Sequence, residues 1–331
     1  VTRHFLDIED LSVEELNDLV ALAEQPVLPK VLAGLGVAAV FEKPSLRTRN
    51  STEMAAFALG GHAVYIQGDE VGIDTRESAE DVARSLACFH RIVCARVLSH
   101  ETLNRMAAAL DTEGTSVPIV NLLSDWAHPC QALADLLTLR EVLAPDTSGP
   151  AALAGRSIAY VGDANNMCRS LAKAGMAAGM DVRVASPSGY GLREEELSVL
   201  AWTAAEDKWP GTLHTTDDPS EAAAGVDALY TDVWTSMGQE EEVALRRKAF
   251  RGFTVDEKLL AAAAPSAVVL HCLPAHRGEE ISAAVLDGPR CVVWRQAANR
   301  MTAMRGLFAW LLGAGTTGPG LRPPPGTTEG R

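Results

Sequence analysis

Gly36-Val37-Ala38-Ala39-Val40-Phe41 is a continuous apolar run, and Ser45-Leu46-Arg47-Thr48-Arg49 follows it almost at once. A short apolar run bounded by polar residues reads as a buried strand. Asn50 to Leu59 then has helical character and stops at Gly60-Gly61. Two hydroxyls and two guanidiniums therefore crowd the first turn of a helix. That turn also offers unpaired backbone N–H groups and the positive end of the helix dipole. Such a turn suits a doubly charged phosphate group.

The same alternation of strand and helix runs along most of the chain. Ser12 and Glu15 form a capping-box pattern ahead of Leu16, Leu19, Val20 and Ala23, which share a helical face. Strands are predicted at 63–67, 91–97 and 117–121, with helices near 78–89 and 101–110. A longer helix begins at Pro129, a favoured first position, and turns Leu133, Leu136, Leu137 and Val142 inward. Ala144 to Pro150 reads as a linker. A second alternation follows, with strands at 157–161, 181–185, 226–231, 267–271 and a short one at 291–294. Asp218-Pro219 starts a short helix that Gly225 ends. A last helix at about 300–312 puts Met304, Leu307, Phe308 and Leu311 on one face, and 316–331 has the composition of a disordered tail.

Two successive alternations imply an α/β fold of two domains, each a mostly parallel sheet flanked by helices. The length of 331 residues agrees, because a single core rarely grows that large. Ligands of such sheets collect at the carboxyl ends of strands. The chemically rich segments all fall there, so one site is expected in the cleft between the domains.

Composition narrows the function classes. A net charge of −14 disfavours nucleic acid and anionic membrane as partners. No apolar run approaches the roughly 20 residues of a membrane span, and Val1 to Phe5 carry no signal-peptide pattern. Six scattered cysteines without a CxxC pair fit reduced thiols of a cytosolic protein and speak against zinc.

Six segments join the anion site. Arg96 closes a buried strand and must point into a cleft or find a partner; an edge arginine reaching solvent is the alternative. In His128-Pro129-Cys130-Gln131 the proline places His128 at the N-cap, where imidazole and carboxamide can donate to a carbonyl oxygen; simple capping is the alternative. Gly162-Asp163-Ala164-Asn165-Asn166 lacks the dinucleotide fingerprint, and its asparagines suit an amino-acid carboxylate or amide, or merely a turn. Asp232 at a strand tip, before a loop through Ser236, Met237 and Gly238, makes an ammonium site. In His271-Cys272-Leu273-Pro274 no base accompanies the thiol, so positioning is expected rather than nucleophilic attack. Arg300, at the opening of the final helix, adds an anion contact or is a surface arginine. Arg49 can instead pair with Glu53 one helical turn on.

Phe41 to Arg49, His128 to Gln131, Asp232 to Gly238 and His271 to Pro274 together resemble the ordered signatures of the aspartate/ornithine carbamoyltransferases. The Ser-Met-Gly loop and the His-Cys-Leu-Pro segment resemble the ornithine branch. The resemblance implies carbamoyl transfer from carbamoyl phosphate to the δ-amine of L-ornithine, giving L-citrulline and phosphate, within arginine biosynthesis. It also implies a homotrimer, or a multiple of trimers, with sites at subunit interfaces and no metal or cofactor. By motif, Ser45, Leu46, Arg47 and Thr48 resemble the phosphate cradle, with Leu46 acting through its backbone. Arg96, His128 and Gln131 resemble the carbamoyl contacts. Asn166, Asp232, Ser236 and Met237 resemble the ornithine contacts. Cys272 and Leu273 resemble the pair at the reacting centre, and Arg300 a further carbamoyl phosphate contact. Arg96, His128, Asp232 and Cys272 are the catalytic set this implies. The domains implied are 1–146 with the helix at about 300–315 for carbamoyl phosphate, and 151–299 for ornithine.

Two positions depart from the family pattern. Leu46 stands where threonine is usual. The loop Gly68 to Glu77 has no glutamine in register for a neighbouring subunit; Glu70 is nearest, and Arg76 is expected to take its place. The competing readings are transfer to another amine (putrescine, lysine or an acylated ornithine) and a non-catalytic anion-binding paralogue. A dehydrogenase fails for want of the glycine fingerprint.

Overall fold

The computed structural model describes residues 2–235 and 240–314. In the first lobe, β1 (Gly36–Phe41), β2 (His62–Gln67), β3 (Ile92–Arg96) and β4 (Ile119–Leu123) form a parallel sheet in the order β2-β1-β3-β4. Its helices are α1 (Val13–Glu24), α2 (Leu46–Ala58), α3 (Gly68–Val71), α4 (Ala79–Ala87), α5 (His100–Thr112) and α6 (Pro129–Leu143). Strands β1, β3 and β4 bury both faces, as parallel strands covered by helical crossovers do, whereas β2 at the sheet edge stays partly exposed. Val37, Ala39 and Phe41 join the core under α1, α2 and α6, whereas Ala38 and Val40 join the core under α4 and α5.

The second lobe carries β5 (Ser157–Val161), β6 (Asp181–Ala185), β7 (Thr212–Thr216), β8 (Ala228–Thr231) and β9 (Val268–His271), all parallel, in the order β7-β6-β5-β8-β9. Around it lie α7 (Asn166–Ala177), α8 (Glu194–Glu206), α9 (Pro219–Ala223), α10 (Val243–Ala249), α11 (Glu257–Ala262) and α12 (Ala283–Leu286). The final helix, α13 (Val293–Leu311), returns to pack on α1, α2 and α6.

Three differences from the sequence reading have physical causes. Strand β7, Thr-Leu-His-Thr-Thr, is a sheet edge with little apolar content, so periodicity alone passes over it. No strand forms at 291–294: Cys291 makes one isolated bridge to Val269, and Val293 already starts α13. The last helix therefore begins at Val293 rather than near 300. Its buried face includes Gln296, Asn299 and Arg300, polar residues that conceal the helical period from an apolar count. The tail at 316–331 lies outside the described residues.

The lobes are joined by more than the linker. One apolar core runs from Leu16, Val37 and Leu133 into Tyr160, Val182 and Tyr230. Buried Lys173 of α7 reaches Asp7 Oδ2 at 2.6 Å and Glu9 Oε2 at 2.7 Å in the segment before α1.

Candidate active site

Ser45 caps α2: its hydroxyl accepts from the Thr48 N–H at 3.3 Å. Leu46, the first helical residue, is 75 % exposed and turns away from the core. Arg47 is half-buried; burial lowers its pKa, and the Asp232 carboxylate across the cleft pulls it back up. Arg49 is engaged elsewhere, pairing with Glu53 at 2.8 Å and stacking over Tyr65. The register of β1 and β3 sets Arg96 opposite Phe41, beside the loop that leads to Ser45. Burial pushes Arg96 down to about 10, and Arg300 and Arg47 add to the shift, so it stays cationic near neutrality.

Arg300 lies in the middle of α13, not at its start, and is 4 % exposed rather than a surface residue. Its Nη2 donates to Thr48 Oγ1 at 2.8 Å, its Nη1 donates to Gln131 Oε1, and Nη1 lies 3.5 Å from His128 Nε2. His128 is the N-cap of α6 and Pro129 its first residue. The His128 N–H donates to Ser170 Oγ of the second lobe at 2.9 Å. Burial drives the His128 pKa far down, helped by Arg300, Arg96 and Arg47, so the ring is neutral. Behind it, Gln131 Nε2 donates to the fully buried Asp135 at 2.8 Å.

On the second lobe, Asp232 follows β8 and Cys272 follows β9, strands that are paired. The Cys272 thiol donates to Asp232 Oδ1 at 2.9 Å. Burial and the adjacent carboxylate hold that thiol well above its ordinary pKa, so it is a neutral donor and not a thiolate. Asp232 Oδ2 accepts from Asn165 Nδ2 at 2.9 Å, while Asn165 Oδ1 caps α7. Asn166 Nδ2 donates instead to the Ser124 carbonyl of the first lobe at 2.6 Å. Leu273 adopts a left-handed φ of 60°, and its N–H donates to His271 Nδ1 at 2.8 Å. That bond puts the ring proton on Nε2, which faces buried Glu280 Oε1 at 3.2 Å. Ser236 and Met237 lie outside the described residues.

The cleft is thus cationic on one wall and acidic on the other. Asp232, His271 and Cys272 bring potential metal-ligand atoms within 4.8 Å of one another. Both ring nitrogens of His271 are already engaged and the thiol is protonated, so a metal there would have to displace three hydrogen bonds. The wall of donors suits an oxyanion or phosphate; the acid beside a neutral thiol suits an amine.

The sequence profile of the aspartate/ornithine carbamoyltransferase carbamoyl-P binding domain matches residues 3–141, and that of the Asp/Orn binding domain matches residues 154–311. The chain belongs to the aspartate/ornithine carbamoyltransferase family. Within that family it is 46% identical over 319 residues to the ornithine carbamoyltransferase of Acidothermus cellulolyticus, covering 94% of this chain and 97% of that protein. The ornithine carbamoyltransferase structure from Pyrococcus furiosus is similar at a TM-score of 0.84 and 39% identity, covering 93% of this chain and 96% of that one. The structure from Thermus thermophilus is similar at 0.81 and 42%, covering 94% and 99%.

Three polar residues behind this family's motifs, Asp135, Gln296 and Glu280, went unread in the sequence, and a fourth, Asn165, was read only together with Asn166. Asn165 was visible beside Asn166, but only the fold decides which of the pair turns to Asp232. Asp135 sits one turn after Gln131 on α6, a spacing that was there to be read. Gln296 and Glu280 gave no sequence signal, because their partners are distant or lie in another element. The loop bearing Glu70 and Arg76 is exposed, and Arg76 Nη1 folds back to the Glu70 carbonyl at 3.4 Å.

Proposed function

We propose that this chain transfers the carbamoyl group of carbamoyl phosphate to the δ-amine of L-ornithine, releasing L-citrulline and phosphate. The observation that carries this reading is the opposition of Arg47, Arg96, Arg300 and neutral His128 on one lobe to Asp232 and Cys272 on the other. The N-terminus of α2 and Arg47 hold the phosphate group. The deprotonated δ-amine attacks the carbamoyl carbon, and negative charge develops on the carbonyl oxygen. Arg96, His128 and Thr48 donate to that oxygen from fixed positions. The C–O bond to phosphate then breaks, and the leaving phosphate accepts the amine proton. No protein nucleophile is required, so positioning and electrostatics supply the acceleration. Asp232 holds the amino acid, Asn165 holds Asp232, and Cys272 with the Leu273 carbonyl directs the δ-amine. Asn166, Ser236 and Met237 complete the ornithine contacts in this reading.

The reading extends to a homotrimer working in cytoplasmic arginine biosynthesis. Leu46, Met54 and Phe57, exposed along α2 at helical spacing, supply apolar surface for a second copy to cover. Light scattering of the purified protein tests the assembly. For the reaction, the protein is incubated with carbamoyl phosphate and, in turn, ornithine, N-acetylornithine, lysine and putrescine. Citrulline from ornithine in clear preference to the other ureido products is expected. Turnover of another amine instead, or none at all, overturns the reading.

A further inference from the structure

Two chains of hydrogen bonds converge on Asp135. From the first-lobe cluster, Arg300 donates to Gln131 Oε1, and Gln131 Nε2 donates to Asp135 Oδ1 at 2.8 Å. From the second lobe, the His271 N–H donates to Gln296 Oε1 at 3.0 Å, and Gln296 Nε2 donates to the same Asp135 Oδ1 at 2.7 Å. Tyr230 completes the cluster, its hydroxyl accepting from Gln296 Nε2 at 3.2 Å. Asp135, Gln131, Gln296 and His271 are all at most 1 % exposed.

The polarity of each link is forced. A guanidinium and a backbone N–H can only donate, so each glutamine turns its oxygen outward, to Arg300 or to His271. Both amide NH2 ends then face one point, and only an acceptor can sit there. We propose that Asp135 is a positioning residue for the transfer reaction. It fixes the amide of Gln131, and through it Arg300 and Thr48, and it fixes the amide of Gln296, which holds the backbone of His271 next to Cys272. One buried side chain thereby ties the carbamoyl phosphate wall to the amine wall. This inference rests on the transfer reaction proposed above.

The two amides need an acceptor oxygen and not a charge, which separates two variants. Asp135→Asn keeps Oδ1 for both amides. Asp135→Leu keeps the bulk, removes the acceptor of the Gln131 NH2 and leaves the Gln296 NH2 only the longer bond to the Tyr230 hydroxyl. Wild type and both variants are assayed with carbamoyl phosphate and ornithine, with circular dichroism confirming folding. Asp135→Leu is expected to lose about 100-fold in kcat/KM, the scale of a misplaced site, with both substrates' KM values raised. Asp135→Asn is expected to recover kcat/KM to within about tenfold of wild type. A purely structural Asp135 would lower Tm and leave kcat per folded molecule and both KM values unchanged. Folded Asp135→Leu with wild-type constants overturns the inference, as does folded Asp135→Asn that is as impaired as the leucine variant. If Asp135→Leu does not fold, Gln296→Leu cuts only the His271 arm. It should raise the KM for ornithine and leave that for carbamoyl phosphate near wild type; equal effects on both, or no effect, overturn the inference. A wild-type enzyme without turnover removes the reaction itself rather than the role of Asp135.

Discussion

Arg300 Nη2 and Thr48 Oγ1 meet at 2.8 Å although 252 positions of sequence separate them. The bond fastens the last helix to the first turn of α2, where the phosphate group is expected to sit. Thr48 is then oriented by a cation that also holds Gln131. Thr48, Arg300 and Gln131 are therefore one connected cluster and not independent side chains.

Arg300→Lys keeps the charge but lacks the fork that spans Thr48 and Gln131. We expect the KM for carbamoyl phosphate to rise by at least about tenfold and kcat to fall, since donors aimed at developing charge are worth about 3–4 kcal/mol each. Steady-state kinetics against carbamoyl phosphate at saturating ornithine decides; a lysine variant with wild-type constants would detach Arg300 from the site.

His128 is neutral in the fold, whereas the unfolded chain protonates it below its ordinary value of 6.5. More protons are bound by the unfolded state in that window, so the stability this residue contributes is present above 6.5 and is lost as pH falls. Urea unfolding at pH 7 and pH 5 should show a smaller acid loss for His128→Asn than for wild type. An identical loss in both proteins contradicts a buried neutral ring.

Cys272 is expected to resist alkylation while its neighbour Asp232 keeps the thiol protonated. Inactivation by iodoacetamide at Cys272 should still be climbing at about pH 10, beyond the ordinary thiol value of 9.0. A rate that levels off near neutral pH would reveal a thiolate and reopen a nucleophilic role. Cys272→Ser should retain turnover with a raised KM for ornithine.

Gly306 lets α13 lie against α1. A Cβ added there would meet Ala23 Cβ at 2.4 Å and Ala23 Cα at 2.7 Å, a backbone contact that cannot swing aside. Gly306→Ala should destabilise the protein by about 1–3 kcal/mol, as overpacking does. Denaturant titration measures this, and an unchanged midpoint would show that α13 docks more loosely than its burial implies.

Arg76 bears on assembly. If it replaces the missing glutamine of its loop, Arg76→Ala should raise the KM for carbamoyl phosphate several-fold, because a solvent-exposed ion pair contributes up to about 1 kcal/mol. An unchanged KM removes that expectation.

The first turn of α2 was legible because its chemistry is local. Ser45, Arg47 and Thr48 are neighbours in sequence, and a strand followed by a capped helix already brings them together. The same holds for His128 and Gln131, which Pro129 sets at the start of α6. Arg300 was read as an anion contact but placed wrongly, because a helix face of Gln296, Asn299 and Arg300 has no apolar period. Its burial becomes intelligible only with Thr48 and Gln131 beside it. Edge strand β7 was lost for the opposite reason, since an exposed strand has no need of apolar residues.

The sequence by itself determined the two alternating halves, the helix caps and the motif residues, since each depends on contacts within a few positions of the chain. Tertiary structure alone decided that Asn165 and not Asn166 turns to Asp232, that Arg300 is buried, and that Gln131 and Gln296 converge on Asp135. The physical reason is that a buried polar group takes its orientation from partners that complete its hydrogen bonds, and here those partners lie in other elements.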